Sequence, residues 1–295
     1  MTAFVQGAHT YFTPKVGDDS RDGLGRAQSW VWPESVVNVS PSEIRELPLD
    51  VVILQRPRDI ELAQSWLGDR YATLPKIYVE HDPPVDLRDP RHPLADRDDV
   101  TIAHVTYFNQ LMWESGSTRT AVIEHGVVDP GHLFNGRHQS AAAVINEPVR
   151  RRWIAGTDLV ETMRQSVDVE LFGMGSESLS GRDLNQHQMH EAIAECRAYF
   201  HPFRWTSLGL SLIEAMHIGL PVIVLAATEA ARVIPSDVGI VSNRVDELMS
   251  AAVTFTGDRE LAADVGLQGR KFALERYGLG RFLADWDVLL EDIAR

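Results

Sequence analysis

The run from Ala198 to Ala227 constrains what this chain can fold into more than any other stretch. It predicts a strand over 198–202, a turn holding Thr206, Ser207 and Gly209, a helix, and a second strand at Val222-Ile223-Val224-Leu225. Hydroxyls between Ser207 and Ser211 suit a helix N-cap, and Gly219 followed by Pro221 suits its end. The apolar run without alternation is that of a strand buried on both faces. Strand, glycine turn and helix N-terminus together form an anion site, because free backbone N–H groups and about half a unit of positive charge point out of the helix. Glu214 lies one to two turns inside that helix, too deep to fill the site itself. Its carboxylate is placed to accept hydrogen bonds from hydroxyls of the same ligand.

Elsewhere strands alternate with helices, which implies parallel sheets whose ligands gather at the carboxyl ends of strands. Phe4-Val5-Gln6 reads as a short first strand, followed by a polar segment over 15–27 that contains Gly23 and Gly25, then a helix over 27–32 stopped by Pro33. Strands follow at 36–39, 50–54, 76–80, 100–105 and 120–127, with helices over 59–67 and 108–115. His81 stands at the carboxyl end of the 76–80 strand. Asp96-Arg97-Asp98 lies in a polar loop and reads as solvated surface, not as a metal motif.

Residues 136–140 read as a linker. Beyond them come a strand over 142–146, three arginines at Arg150, Arg151 and Arg152, a helix over 156–163, and a strand over 167–172 that closes on Gly173-Met174-Gly175. A loop over 176–188 and a helix over 189–196 lead back to the central run. Helices over 246–253, 259–276 and 281–294 complete the chain, the last with Phe282, Trp286, Leu289 and Leu290 on one side.

Composition bounds the partners. The formal net charge of −14 would repel nucleic acid overall, and no basic patch suited to an anionic membrane stands out. No apolar run reaches the roughly 18–20 residues a membrane span needs. The single cysteine, Cys196, excludes an internal disulfide, and together these features predict a cytoplasmic protein.

The residues from Leu208 to Ile223, with Glu214-Ala215-Met216 and Gly219-Leu220-Pro221-Val222-Ile223, resemble the signature of retaining GT-B glycosyltransferases of family 4. The resemblance implies an α/β GT-B fold, two Rossmann-like domains whose parallel sheets face an interdomain cleft. Residues 1–137 would be the acceptor-binding domain, joined by the C-terminal helix 279–295, and 138–278 the nucleotide-sugar-binding domain. Glu214 would bind the ribose of the donor, with Ser207, Leu208, Gly209 and Leu210 around its diphosphate and Gly173 and Gly175 beside its base. The family's first glutamate is replaced here by Thr206, which leaves sugar recognition open. The family's diphosphate arginine and lysine are also missing, the lysine position holding Ala155, and one or two of Arg150, Arg151 and Arg152 would replace them. His81 would reach the donor sugar and diphosphate, acting with Arg150 and Arg152 in the transfer, while Gly23 and Gly25 would let a loop approach the diphosphate and acceptor.

The activity so implied is transfer of a hexose from a nucleoside-diphosphate sugar to a soluble saccharide hydroxyl, with retained configuration. A fainter likeness to mannosyltransferases of methylmannose polysaccharide synthesis suggests GDP-mannose as donor. The family requires no metal or other cofactor for the step, although Mg²⁺ can bind the nucleotide. No nucleic-acid partner and no stable membrane association are expected. Thr206 and the missing lysine keep open a sugar-nucleotide binding protein without turnover, and a UDP- or ADP-sugar donor remains an alternative. A GT-B epimerase or phosphorylase fits less well.

Overall fold

The computed structural model describes residues 1–17, 22–27 and 30–294. The chain divides into two compact units, Met1–Gly126 with Leu279–Arg295, and Val127–Gly278.

The first unit opens with a 3-10 turn, Phe4–Gln6, where the sequence predicts a strand. Phe4 and Val5 are buried in a cluster with Trp32 and Trp286, so the two apolar residues anchor one turn of chain and never reach a ladder. The first strand is β1 (Tyr11–Pro14), which lies parallel to β2 (Val36–Val39) with Tyr11 opposite Val36. The helix expected over 27–32 does not form at residues 27 or 30–32, and Gln28 and Ser29 lie outside the described residues. Then come β3 (Val52–Leu54), α1 (Pro57–Leu67), α2 (Arg70–Thr73), β4 (Lys76–Glu80), β5 (Thr101–His104), α3 (Tyr107–Met112) and β6 (Arg119–Val122). These four strands make a parallel sheet in the order β3-β4-β5-β6, which is also their order in sequence.

The second unit contains β7 (Ser140–Val144), α4 (Arg152–Ala155), α5 (Thr157–Met163), β8 (Asp168–Phe172), α6 (Gln186–Glu195), β9 (Ala198–His201) and α7 (Leu210–Ile218). It continues through β10 (Val222–Leu225), α8 (Ala230–Val233), β11 (Gly239–Ser242), α9 (Val245–Gly257) and α10 (Arg259–Tyr277). All five strands are parallel, in the order β11-β10-β9-β7-β8. The sheet is covered on both sides. Ala142, Phe172, Tyr199 and Val224 pack with α6, α7 and α10, whereas Ala143, Leu171, Phe200 and Ile223 pack with α5 and α9. Strands between two helical layers read as unbroken apolar runs, which is why β10 was legible as a buried strand.

The last helix, α11 (Leu279–Ile293), belongs to the first unit, where Phe282, Trp286 and Leu289 bury one stripe in the cluster around Phe4 and Ile77. The chain passes between units at Gly126–Val127 and Gly278–Leu279, so the expected linker at 136–140 is not the crossing point. Residues 127–137 are held on the second unit. Leu133 and Phe134 both donate backbone hydrogen bonds to Ile218 O (3.1 Å each), Asn135 donates to Ala194 O (2.9 Å), and Arg270 grips Asp129 (2.7 and 2.8 Å). Residues 138–140 continue directly into β7, with His138 N donating to Glu195 O at 2.7 Å.

Candidate functional site

In the second unit the strand order reverses at β7. The chain leaves β7 for β8 on one side and returns to β9 on the other, so the loops at the carboxyl ends of β7 and β9 diverge and leave a crevice, the place where open parallel sheets bind ligands. Three turns form its walls. After β7, Glu147 takes a left-handed conformation (φ 53°). Its N–H donates to Met174 O (2.7 Å), while Met174 N donates to Asn146 Oδ1 (3.0 Å), which locks the turns after β7 and β8 together. Gly173 has φ 126°, and a Cβ there would come within 2.4 Å of Ile145 O, so no larger residue fits between the two strand ends. On the other side Gly156 abuts the chain after β9, where a Cβ would lie 2.1 Å from Pro202 O.

The third turn leads into α7. Its N-cap is Gly209 (φ 91°, ψ 117°) and no side chain caps the helix, contrary to the hydroxyl cap expected from Ser207 and Ser211. Ser207 is buried, with its carbonyl accepting from Thr228 Oγ1 (3.4 Å), and Ser211 Oγ is taken by Tyr199 OH (2.8 Å). Three other helices are capped by side chains. Thr106 accepts from Asn109 N, Asn185 from Gln188 N and Asp258 from Leu261 N, at 3.1, 3.0 and 3.0 Å. α7 shares the lack of a side-chain cap with α4, α5, α8 and α9, and differs from them in following a glycine turn at the carboxyl end of β9, beside the switch point, where free first-turn N–H groups suit an anion.

Beneath this turn lies His201, 2% exposed, with neither ring nitrogen hydrogen-bonded. It stacks on Phe203 (4.7 Å between centroids), and a Cβ on Gly209 would meet its Cε1 at 2.7 Å. Burial pushes its pKa down to about 3, so the ring is neutral at physiological pH.

The carboxylate of Glu214 is buried and faces α6. Gln186 Nε2 donates to Glu214 Oε1 (2.7 Å), and His190 Nε2 stands 3.4 Å from Oε2. Neither partner stands out in the sequence. Their one signal is position, in the 176–196 region expected to flank the base. Thr206 is half-buried in the loop after β9, Leu208 is packed in the core and Leu210 is exposed.

The three arginines part company. Arg150 is exposed and paired with Glu147 (Nε to Oε2, 2.9 Å), and Arg152 is exposed and paired with Glu161 (2.7 Å). Arg151 is half-buried at the start of α4, its guanidinium over the Phe203 ring (5.7 Å), with no carboxylate in ion-pair range among the described residues. A Cβ on Gly175 (φ 72°) would meet only the Glu147 backbone, in ordinary contact at 3.8 Å from its Cα.

The remaining expected site residues lie in the first unit. His81 follows β4, half-buried, with Nε2 at 3.2 Å from Gln55 Oε1. Burial first, then the nearby N-terminal ammonium, lowers its pKa below the ordinary histidine value. Gly23 and Gly25 carry positive φ (67° and 71°) in a loop that folds back on the chain after β1, with Val16 N donating to Gly23 O and Gly25 N to Pro14 O at 2.9 Å each. A concavity of about 370 Å³ lined by Lys15, Val16, Gly17, Asn38, Val39 and Ser40 opens at the carboxyl ends of β1 and β2. Among the described residues no helix is long and apolar enough to cross a membrane, and no group of His, Cys, Asp and Glu is arranged to hold a metal ion.

Residues 179–272, which include β9, α7 and Glu214, match the family model described as "Glycosyl transferases group 1". No curated protein matches the sequence. Among solved structures the chain is similar to HepE from Anabaena in complex with UDP and glucose, with a TM-score of 0.67 at 14% identity over 88% of this chain and 87% of that one. It is similar to TarM (TM-score 0.62, 14% identity, 85% of this chain), of which it spans 57%. Sucrose-phosphate synthase from Thermosynechococcus elongatus gives a TM-score of 0.59 at 16% identity over 82% of this chain and 73% of that one. These likenesses establish the GT-B fold, with two Rossmann-like units.

Proposed function

We propose that the chain is a retaining glycosyltransferase that moves a hexose from a nucleoside-diphosphate sugar to a hydroxyl of a soluble saccharide. One observation carries the reading. The uncapped start of α7, with its glycine turn, opens at the switch point of the sheet, inside the segment that matches the group 1 glycosyl transferases. The transition state of such a transfer puts positive charge on the sugar and negative charge on the leaving diphosphate, so fixed donors aimed at the phosphates accelerate it. The N–H groups from Gly209 onward supply them. Arg151 adds a cation at the crevice wall, while Arg150 and Arg152 sit in exposed ion pairs worth about 0–1 kcal/mol, which a phosphate could displace. Glu214 accepts from the ribose hydroxyls, Gln186 fixing one of its oxygens. His81, neutral, donates to the sugar or leaving phosphate. The acceptor oxygen bonds the anomeric carbon on the same face from which the carbon–oxygen bond to the diphosphate breaks, and the departing phosphate oxygen takes the acceptor proton, so configuration is retained without a carboxylate nucleophile.

GDP-mannose is the donor put forward, on the sequence likeness to mannosyltransferases. A UDP-hexose is the second reading, favoured by the structural neighbours solved in complex with UDP, including the pneumococcal O-GlcNAc transferase GtfA and HepE. Calorimetry with GDP, UDP and ADP, then turnover of the matching donor with assignment of the product anomer, separates them. Binding without transfer to any sugar would leave a sugar-nucleotide binding protein. Glu214→Ala should weaken nucleotide binding by about a hundredfold, the loss of hydrogen bonds to a charged acceptor. An unchanged affinity would remove the ribose assignment. Arg151→Ala should cost about tenfold in diphosphate affinity and Arg150→Ala or Arg152→Ala less than about threefold.

A further inference from the structure

The turn after β4 is tied down by side chains that the proposed transfer does not use, Glu80 and Trp113 half-buried and His92 buried. Both backbone groups of Asp82 are held, its N–H donating to Glu80 Oε1 (3.1 Å) and its carbonyl accepting from the indole Nε1 of Trp113 (2.8 Å). The other oxygen of Glu80 lies 3.1 Å from His92 Nε2, in a pair whose side chains are 13% and 1% exposed. His92 Nδ1 accepts the backbone N–H of Leu94 (3.1 Å), so it carries no proton. The ring proton is therefore on Nε2, pointing at the carboxylate. Tyr78 and Trp113 meet the His92 ring edge-on at 5.4 and 5.0 Å, which fixes its plane.

We infer that Glu80 and His92 are positioning residues for His81: the carboxylate, itself oriented by a histidine of fixed tautomer, clamps the peptide that follows His81 and so sets where that ring points. The inference rests on the proposed role of His81. The carboxylate is needed because it must accept from two donors at once, the Asp82 amide and the His92 ring. A glutamine at 80 has one acceptor and would turn its NH₂ on the other donor. His92 cannot relieve the conflict by changing tautomer, because its Nδ1 already faces the Leu94 amide. A glutamine at 92 can, since its carbonyl can accept from Gln Nε2 at position 80.

The test uses the full chain and four variants, with two readouts. Amide exchange at Asp82 reads the clamp without any substrate. Glu80→Gln and His92→Ala should each speed it by about tenfold or more, and the double variant Glu80→Gln/His92→Gln should return it to within about threefold of the parent. Turnover of GDP-mannose and of UDP-glucose, with methyl α-mannoside as acceptor, reads the consequence. Both disruptive variants should lower kcat about tenfold with donor KM within about twofold, the double variant should recover, and His81→Ala should lose about a hundredfold. Unchanged Asp82 exchange in both disruptive variants overturns the clamp. Faster exchange with parental kcat, while His81→Ala is crippled, overturns the positioning role and leaves His81 standing. If His81→Ala retains parental kcat, or the parent turns over neither donor, the reading of His81 fails and the inference falls with it.

Discussion

Each unit places a histidine at the carboxyl end of an inner strand, His104 as the last residue of β5 in the first and His201 as the last of β9 in the second. Both are buried, both have two ring nitrogens without a hydrogen-bond partner, and burial lowers the first to about 4 and the second to about 3. The two chains of residues leading away from these histidines differ. After His104 the next residue but one is Thr106, whose hydroxyl caps α3, so that helix end is closed by the chain itself. After His201 the chain runs through a longer loop to Gly209 and enters α7 with no side-chain cap. The strand orders differ in the same sense, consecutive in the first sheet and reversing at β7 in the second. A parallel sheet and a strand-end histidine are thus common to both units, and the difference lies in the helix start that follows, capped by Thr106 in one and opened on Gly209 in the other, where the diphosphate is proposed to rest.

The largest test of this contrast is mechanical. Trp286→Ala removes the indole that packs on Phe4 at 4.7 Å between centroids, and should cost about 3–5 kcal/mol. Hydrogen exchange should lose protection in β3 to β6 and keep it in β7 to β11. Equal loss in both sets would break the division into two units.

Acid should act next. A neutral buried histidine contributes stability that is whole above the unfolded pKa of about 6.5 and is lost as pH falls toward the folded value. His104 in the first unit, at about 4, and His201 in the second, at about 3, define a window from about pH 6.5 down to about 4. Between pH 7 and 4.5 each should cost roughly 2–3 kcal/mol. Urea midpoints measured across that range should fall, with a shallower slope in His104→Gln and in His201→Gln. A flat parental profile would mean that the rings are not held neutral.

Two single substitutions sharpen the capping argument, one comparable to the acid effect and one smaller. Gly209→Ala forces a Cβ against His201 in a strained backbone, and should lower nucleoside-diphosphate affinity by about a hundredfold (~2.7 kcal/mol). Thr106→Ala should destabilise by about 1 kcal/mol and leave that affinity unchanged. Calorimetry on both variants decides. If the threonine variant loses nucleotide binding, or the glycine variant keeps it, the contrast is misassigned.

Much of the fold was readable from residues alone. β4 is found at 76–80 as expected, because a run of apolar residues between Pro75 and His81-Asp82-Pro83 has few other uses. Helices α10 and α11 were legible from periodicity and length, and Gly219 does end α7 in the left-handed conformation. β1 and β11 do not stand out in the sequence, being four residues each and only partly buried. Phe4-Val5-Gln6 misled because two apolar residues carry no period, and burial against Trp286, far away in sequence, decided their shape. The crossing at Gly126–Val127 was invisible because residues 127–137 attach by backbone hydrogen bonds to Ile218 and Ala194, which no composition betrays.

That this chain is built of parallel strands and helices, and that a glycine turn opens a helix around Glu214, follows from local propensity and from spacing along one element, for which the residues alone suffice. Tertiary structure alone decided which groups are available there. The expected hydroxyl cap went to Tyr199, Glu214 met Gln186, and of three adjacent arginines Arg150 and Arg152 found carboxylates while Arg151 found an aromatic ring. Free donors and free charges are what remains after every partner brought close by folding has been served, and those partners are set by the packing of separate elements.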